Sequence, residues 1–578
     1  MGTKIELSEN ALTVAKSRYF EEGESWELCT LRVANAIAEA EGGKKVEYRD
    51  KFHEMIYGMD FIPAGRILRN SGKSKGSLLN CFVLPMEDSI EGIGTYYKHS
   101  LILWSEGGGC GVNLTPLRPK GDSILGKGGK SSGLVSFLEA SDATAKCIES
   151  GGSRRAAGLA CVEITHPDVM EFIDSKLVDK KISYYNISVG ITNEFLEAVE
   201  RNEDWEFKFK QRSYGKVKAR FIWDKIVKNM VNSAEPGLLN FTNLMKNNSY
   251  YYDPVVCTNP CGEAILAPYE NCVLGSLVLP NFITGNVNTN WKKLENTISL
   301  AVRFLDNVID VNKYALKQND RKAHESRRIG LGIMGLSNYF FSKKLRYGSP
   351  ESLIELERLM KFIRDCVYQT LVSLSVEKGS FPKFDPIPYI KSSFIRKLPV
   401  SLRMDIKEKG VRCVTGIAIA PTGTISNLTD VCSSIEPLIA KAYRRDDRVG
   451  TRIYVNPIYE EILKEEGPTP DWFVDSYDLK PEDHLEVQSI VQKYCDGGTS
   501  KTINLPKETT VDDLSKLLLE YAKDLKGVTV YRDGSREGQI LNPLTEEETL
   551  NYLKENGTEI NRNLSEQDVQ CSSGLCEI

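Results

Sequence analysis

The absences in this sequence narrow it first. No apolar run reaches the ~18 residues that a membrane span needs. Met1-Gly2-Thr3-Lys4-Ile5-Glu6 has no apolar core of the kind a secretory leader carries. Together these predict no membrane association and point to the cytoplasm. The formal net charge of -5 gives no basic footprint, so nucleic acid is not an expected partner. None of the 14 cysteines falls into paired Cys-x-x-Cys knuckles, so no metal site is signalled. Fourteen cysteines in 578 residues are too few for a disulfide framework; in a reducing compartment those that matter are catalytic or transiently redox-active. What remains is ordinary globular composition, 41% hydrophobic and 26% charged. The length allows roughly four domains or one oversized barrel.

Residues 1–75 read as helical, because Trp26, Leu28, Leu31, Val33, Ala34, Ile37 and Ala38 recur at helical spacing and a second periodic run covers 52–59. After His166-Pro167-Asp168 the chain alternates strands with helices, the pattern of a parallel sheet with helical crossovers. Apolar strands are predicted over 78–85, 414–420, 501–506 and 527–532, and long helices over 291–311 and 351–378. Asp88 or Ser89 caps a helix start. Two Gly-rich basic loops, 121–133 and 150–158, flank one helix; they suit either an anion such as a nucleotide phosphate or plain solvated connectors. Pro421-Thr422-Gly423-Thr424-Ile425-Ser426 ends a strand in hydroxyl and backbone donors, without the lysine of a Walker loop. From about 541 the pattern dissolves into polar, acidic sequence that ends on Cys571 and Cys576, two thiols on a flexible tail.

The run Thr258-Asn259-Pro260-Cys261-Gly262-Glu263 carries the most chemistry. Pro260 and Gly262 oppose helix, so it reads as extended or loop. An extended chain would put Asn259, Cys261 and Glu263 on one face: an amide, a thiol and a carboxylate. A turn around a buried cysteine is the plainer alternative. Cys81 and Cys272 sit on strands. If adjacent, they could form a disulfide that the tail thiols reduce by exchange.

In this order Asn259-Pro260-Cys261-Gly262-Glu263, Asn271-Cys272-Val273-Leu274-Gly275-Ser276, Pro421 to Ser426 and the Cys571/Cys576 tail resemble the catalytic chain of ribonucleotide reductase. The resemblance runs from Arg18-Tyr19 to Arg536 and resumes at the tail. It implies an α/β fold: a helical cap over 1–75, a ten-stranded α/β barrel with a central finger loop over 76–540, and a redox-active tail over 541–578. It also implies that Cys261 becomes a thiyl radical, that Glu263 is the base on the 3′ hydroxyl and that Asn259 orients the ribose. Cys81 and Cys272 would supply the electrons, Cys571 and Cys576 would re-reduce them, and thioredoxin or glutaredoxin would recharge the tail. Asn80 and Gly109 fall at substrate-contact positions, with Pro421, Thr422, Gly423, Thr424, Ile425 and Ser426 around the phosphates. Asp88, Ser89 and Ile90 match the start of a deoxynucleotide effector site at a homodimer interface, and Lys127, Arg154 and Arg155 lie in its two loops. The first loop departs from the common pattern, with Leu125 and Lys127 near where an arginine is often found. No nucleotide-binding cone is expected ahead of the core, so overall control by dATP should be absent.

The radical source divides the family into classes. Class I chains receive it through adjacent tyrosines where this sequence has Val530-Tyr531. Residues 526–536, 496–506 and the 421–426 turn instead resemble the class II, adenosylcobalamin-dependent enzymes. Class III is not matched, because it needs a glycyl-radical motif. The Asp-x-His-x-x-Gly cobalamin signature is absent, but class II reductases do not rely on it. The expectation is a cobalt cofactor, adenosylcobalamin, and ribonucleoside di- or triphosphate substrates. The alternatives are a class I chain without the cone, a thiol redox sensor and a zinc-stabilised binding protein.

Overall fold

The computed structural model describes residues 5–124, 128–150, 154–177, 182–285, 287–447, 450–465, 468–533 and 541–556. Its first helices form because polar caps stand in front of apolar faces. Ser8 accepts from the Ala11 amide ahead of Glu9–Arg18, and Ser25 from the Leu28 amide ahead of Trp26–Ile37. With Lys45–Tyr57 they bury Trp26, Val33, Ile37, Phe52 and Ile56. That face packs on the 21-residue helix Trp291–Val311, where the Phe52 and Phe304 rings meet edge to face at 5.1 Å.

Ten strands make the central sheet. In chain order they are β1 (Phe61–Pro63), β2 (Cys81–Val83), β3 (Gly109–Asn113), β4 (Ala157–Glu163), β5 (Tyr185–Ile191), β6 (Gly237–Asn240), β7 (Asn271–Val278), β8 (Ile329–Met334), β9 (Thr502–Leu505) and β10 (Gly527–Arg532). Strands β2 to β6 run parallel as one half. In the other half β7 pairs parallel with β8, and β9 with β10. The halves meet antiparallel at two seams, β7 on β2 and β10 on β6. Parallel neighbours need long crossovers, which explains the amphipathic helices between them. Both faces are covered, so β7 and β8 are buried at every position.

Among the described residues no regular ladder closes this sheet. Two isolated parallel bridges, Leu331 to Ile417 and Ile419 to Thr499, link β8 through residues 417–419 to the approach to β9. The predicted strand 414–420 is therefore extended and buried but not a ladder. The carboxylate of buried Asp496 accepts the Gly416 and Ile417 amides at 2.9 and 2.8 Å, so a side chain takes donors that a ladder would use.

The flexible tail expected from 541 also needs correcting in part. Leu541–Pro543 is a strand paired with Ala442–Asp447, and Glu546–Asn556 is a helix. Leu544, Leu550 and Leu553, inside acidic surroundings, pack on the cluster around Phe473 and Tyr459. Among the described residues no helix is long and apolar enough to cross a membrane.

Candidate active site

Residues 257–266 form a hairpin, Cys257–Thr258 against Ile265–Leu266, that reaches between the two halves of the sheet. Contacts to its backbone fix it from both sides. Thr258 O approaches β3 so closely that a Cβ on Gly111 would stand 1.8 Å away. Asn186 of β5 donates to Pro260 O at 3.4 Å, and the Gly498 amide donates to Glu263 O at 2.7 Å. Gly109, facing the Pro260 ring, lies beside Cys81 in the register of β2 and β3.

The tip is a turn, which corrects the extended reading. Gly262 N–H donates to Asn259 O at 3.1 Å, Asn259 N–H donates to Ala264 O at 3.0 Å, and Gly262 takes φ +83°. Proline fixes its own φ, glycine takes the left-handed position, and the chain reverses between them. The three functional side chains are therefore not spaced along one face. The reversal folds Asn259 back on Glu263 and leaves Cys261 at the apex.

Asn259 Nδ2 donates to Glu263 Oε1 at 2.8 Å and to Cys81 Sγ at 3.1 Å, while the Cys81 thiol reaches the same carboxylate oxygen at 3.4 Å. Asn259 Oδ1 accepts from the Ala264 amide, which fixes the orientation of its amide group. Asn259, Glu263 and Cys81 are fully buried. Burial pushes the Glu263 carboxyl up to about 7, against the hydrogen bonds from its own backbone, Asn259 and Cys81. Its Oε2 has no partner among the described residues, nor have both amide atoms of buried Asn80.

Cys272 lies directly across from Cys81 in the β7–β2 ladder. Opposed antiparallel residues have Cα atoms about 4.5–5.5 Å apart, inside the ~4.4–6.8 Å range that a disulfide spans. Both thiols are buried and unbridged. Burial raises both, and the nearby Glu263 charge adds to the rise at Cys81. Burial thus holds both in the thiol form. Cys261 is only half-buried and lines a solvent-open cavity. Ser188 of β5, Leu238 of β6 and Thr529 of β10 complete its wall.

Pro421 follows directly on the bridging segment, whose Ala418 packs in the same interior cluster as Cys81 and Cys272. Thr422, at φ +58°, precedes the short helix Gly423–Leu428 without capping it, so among the described residues no side-chain cap takes the first-turn amides of Gly423, Thr424 and Ile425. Ser426 is buried, its hydroxyl paired with Ser433.

The expected effector residues lie elsewhere. Ser89 caps Ile90–Ser105, with exposed Ile90 as its first residue. Asp88 is bound by Arg118 at 3.0 Å. Arg118, from the strand end before the first loop, is a residue that sequence reasoning missed; its partner is thirty positions away and no motif marks it. Arg154 and Arg155 form a two-residue strand with Glu149–Ser150, their side chains outside the description. Lys127, Cys571 and Cys576 also lie outside the described residues. Asp496 was missed as well: it ties the bridging segment to Gly497, next to the amide that holds Glu263 O.

Comparison with known proteins agrees with this geometry. The ribonucleotide reductase all-alpha domain family matches residues 5–76, and the ribonucleotide reductase barrel domain family matches residues 79–531. A vitamin B12-dependent ribonucleoside-diphosphate reductase of Thermoplasma acidophilum is 34% identical, covering 93% of this chain and 73% of that protein. One from Mycobacterium tuberculosis is 33% identical, covering 93% and 81%. A ribonucleoside-diphosphate reductase subunit alpha of Chlamydia trachomatis is 26% identical, covering 90% and 58%. Matched by these two domain families over nearly the whole chain, and 34% identical to a relative over 93% of its length, the chain belongs to the ribonucleotide reductase family.

Proposed function

We propose that this protein reduces ribonucleotides to 2′-deoxyribonucleotides using adenosylcobalamin, with no separate radical-bearing subunit. One observation carries the reading: the turn at 259–262 brings Asn259, Glu263 and Cys81 into one hydrogen-bonded group and leaves Cys261 at an open cavity. Diphosphates are the substrates named for the B12-dependent relatives, and we assign them here. The cavity opens on Cys261 and presents hydroxyls and a carboxylate beside apolar wall, so we assign it to the adenosyl part of the cofactor, with Ser188, Glu235, Leu238 and Thr529 around it. Bound there, adenosylcobalamin supplies the one-electron oxidation that turns the Cys261 thiol into a thiyl radical.

Cys261 takes the hydrogen from C3′ of the ribose and returns it at the end of the cycle. Glu263 accepts the 3′ hydroxyl proton, a task suited to a carboxyl near neutrality. The 2′ oxygen leaves as water. Cys81 and Cys272 provide the two electrons and two protons for this and close to a disulfide. The uncapped amides at 423–425 hold the phosphates, and the amide of Asn80 and the bare backbone at Gly109 border the sugar. Cys571 and Cys576 reduce the disulfide by exchange, and thioredoxin or glutaredoxin reduces them in turn. A thiol-reductant cycle of this kind belongs to a reducing compartment, the cytoplasm. Asp88, Ser89 and Arg118 frame a deoxynucleotide effector site between two copies of the chain.

Cys261→Ser tests the reading. It should form no deoxynucleotide while binding nucleotide as the parent does. Retained turnover would overturn the assignment, and stoichiometric zinc without turnover would favour a binding protein.

A further inference from the structure

Two charged residues in the wall of the Cys261 cavity have no part in the reduction itself: Lys501 and Glu235. Lys501 is fully engaged, with its ammonium on Glu436, on His484 Nδ1 at 2.8 Å and on Thr502 O at 3.0 Å. Glu235 is not. Its Oε2 is held by Lys176 at 2.5 Å, and Lys176 is fixed in turn by donating to Tyr185 O at 2.8 Å. Its Oε1 is buried and has no hydrogen-bond partner among the described residues, although Glu235 is only 7% exposed. Buried acceptors are rarely left unmatched, and a carboxylate least of all, because its desolvation goes uncompensated. One oxygen is thus anchored and the other waits for a donor.

Resting on the cofactor reading above, we propose that Glu235 is the ribose anchor of the adenosyl group, its Oε1 accepting a hydrogen bond from a ribose hydroxyl. The carbon that reacts with Cys261 must come to Cys261. The ribose is bonded directly to that carbon, so the ribose hydroxyls are the adenosyl donors nearest to it. A carboxylate is the acceptor that nucleotide-binding proteins use for ribose hydroxyls. The cavity has matching features. Ser188 Oγ and Thr529 Oγ1 would lie 3.0 and 3.8 Å from a Cβ at Gly237, so the glycine leaves room between two hydroxyls. Ile187, Leu238 and Val528 offer apolar wall for the base.

The test is equilibrium binding of adenosylcobalamin, hydroxocobalamin and free 5′-deoxyadenosine to the parent and to Glu235→Gln. Lys176 keeps a glutamine's oxygen on itself, so the amide turns a donor toward the ribose in place of an acceptor. Glu235→Gln should bind adenosylcobalamin and 5′-deoxyadenosine about tenfold or more weakly, the range for losing a hydrogen bond to a charged group. It should bind hydroxocobalamin unchanged, which also reports an intact fold. On the parent, 2′,5′-dideoxyadenosine or 3′,5′-dideoxyadenosine should lose the same factor, an arm that needs no variant to fold. Equal loss for hydroxocobalamin, unchanged adenosylcobalamin binding by the variant, or no discrimination among the deoxyadenosines would overturn the anchor. If the parent binds no cobalamin, the cofactor reading falls and the anchor with it.

Discussion

Glu263 owes its behaviour to burial. Nothing among the described residues meets its Oε2, and its carboxyl titrates at about 7 instead of 4.5. The raised value means that the folded chain holds this proton until near neutrality. The base form accumulates as pH rises through 7, so turnover should climb over that limb. The same shift works against stability: ionising the buried group costs folding free energy as pH rises from 4.5 to 7. Asn259 donates to the ionised form and holds the value down. Asn259→Ala should therefore move the acid limb of a kcat profile to higher pH, and Glu263→Gln should lose roughly 10²–10⁴-fold in kcat. An acid limb that Asn259→Ala leaves in place would assign it to another group. Asn259, Cys261 and Glu263 stood out in the sequence because an amide, a thiol and a carboxylate within five positions is an unusual density of chemistry, and Cys81 and Cys272 stood out as cysteines on predicted strands. Their arrangement could not, since the turn that Pro260 and Gly262 make brings Asn259 and Glu263 together and separates Cys261. Arg118 and Glu235 left no trace in the sequence, since each meets a partner far along the chain, and Asp496 stood only inside a stretch that resembles the family.

The hairpin works as an element because two backbones crowd it. Gly111 faces Thr258 O and Gly498 faces Gly262 O, so neither tolerates a Cβ without movement. Gly111→Ala should displace the hairpin, cost about 1–3 kcal/mol of stability as other overpacked sites do, and lower turnover far more than the melting temperature. Unchanged turnover in a folded Gly111→Ala chain would mean that the hairpin's seat is not critical. Long elements were legible: Trp291–Val311 was read with its bounds, and Pro350–Lys378 to within a residue, since many turns of apolar periodicity average out local noise. The stretch 414–420 was not, because apolar composition cannot reveal that Asp496 takes its amide donors. The helix Glu546–Asn556 was hidden by its acids, which mask Leu550 and Leu553.

At the scale of the molecule, the half that holds β7 and β8 is tied to the bridging segment outside the sheet as well as by the isolated bridges. Asp306, wholly buried on Trp291–Val311, takes Arg327 at 2.7 Å from the start of β8 and Arg412 at 3.0 Å from the run into the bridging segment. Burial alone would raise its carboxyl, but the two guanidinium groups hold it below the usual aspartate range. Its contribution is therefore present above that range and is lost as pH falls through the lowered value. Asp306→Ala would strip the buried Arg412 of its close carboxylate and leave Arg327 on Asp310 alone, and should cost about 3–5 kcal/mol, measured by denaturant unfolding at neutral pH. A cost under about 1 kcal/mol would show that water or relaxation replaces the carboxylate. Fold class was readable from the alternation of strands and helices, whereas the antiparallel seams and the thin bridging segment depend on pairings hundreds of residues apart.

The most direct test of the whole account supplies the purified chain alone with adenosylcobalamin, a dithiol and a ribonucleoside diphosphate. The predicted result is deoxyribonucleotide in excess of one equivalent per chain, with none from Cys261→Ser. No product until a separate metal-containing subunit is added would contradict it.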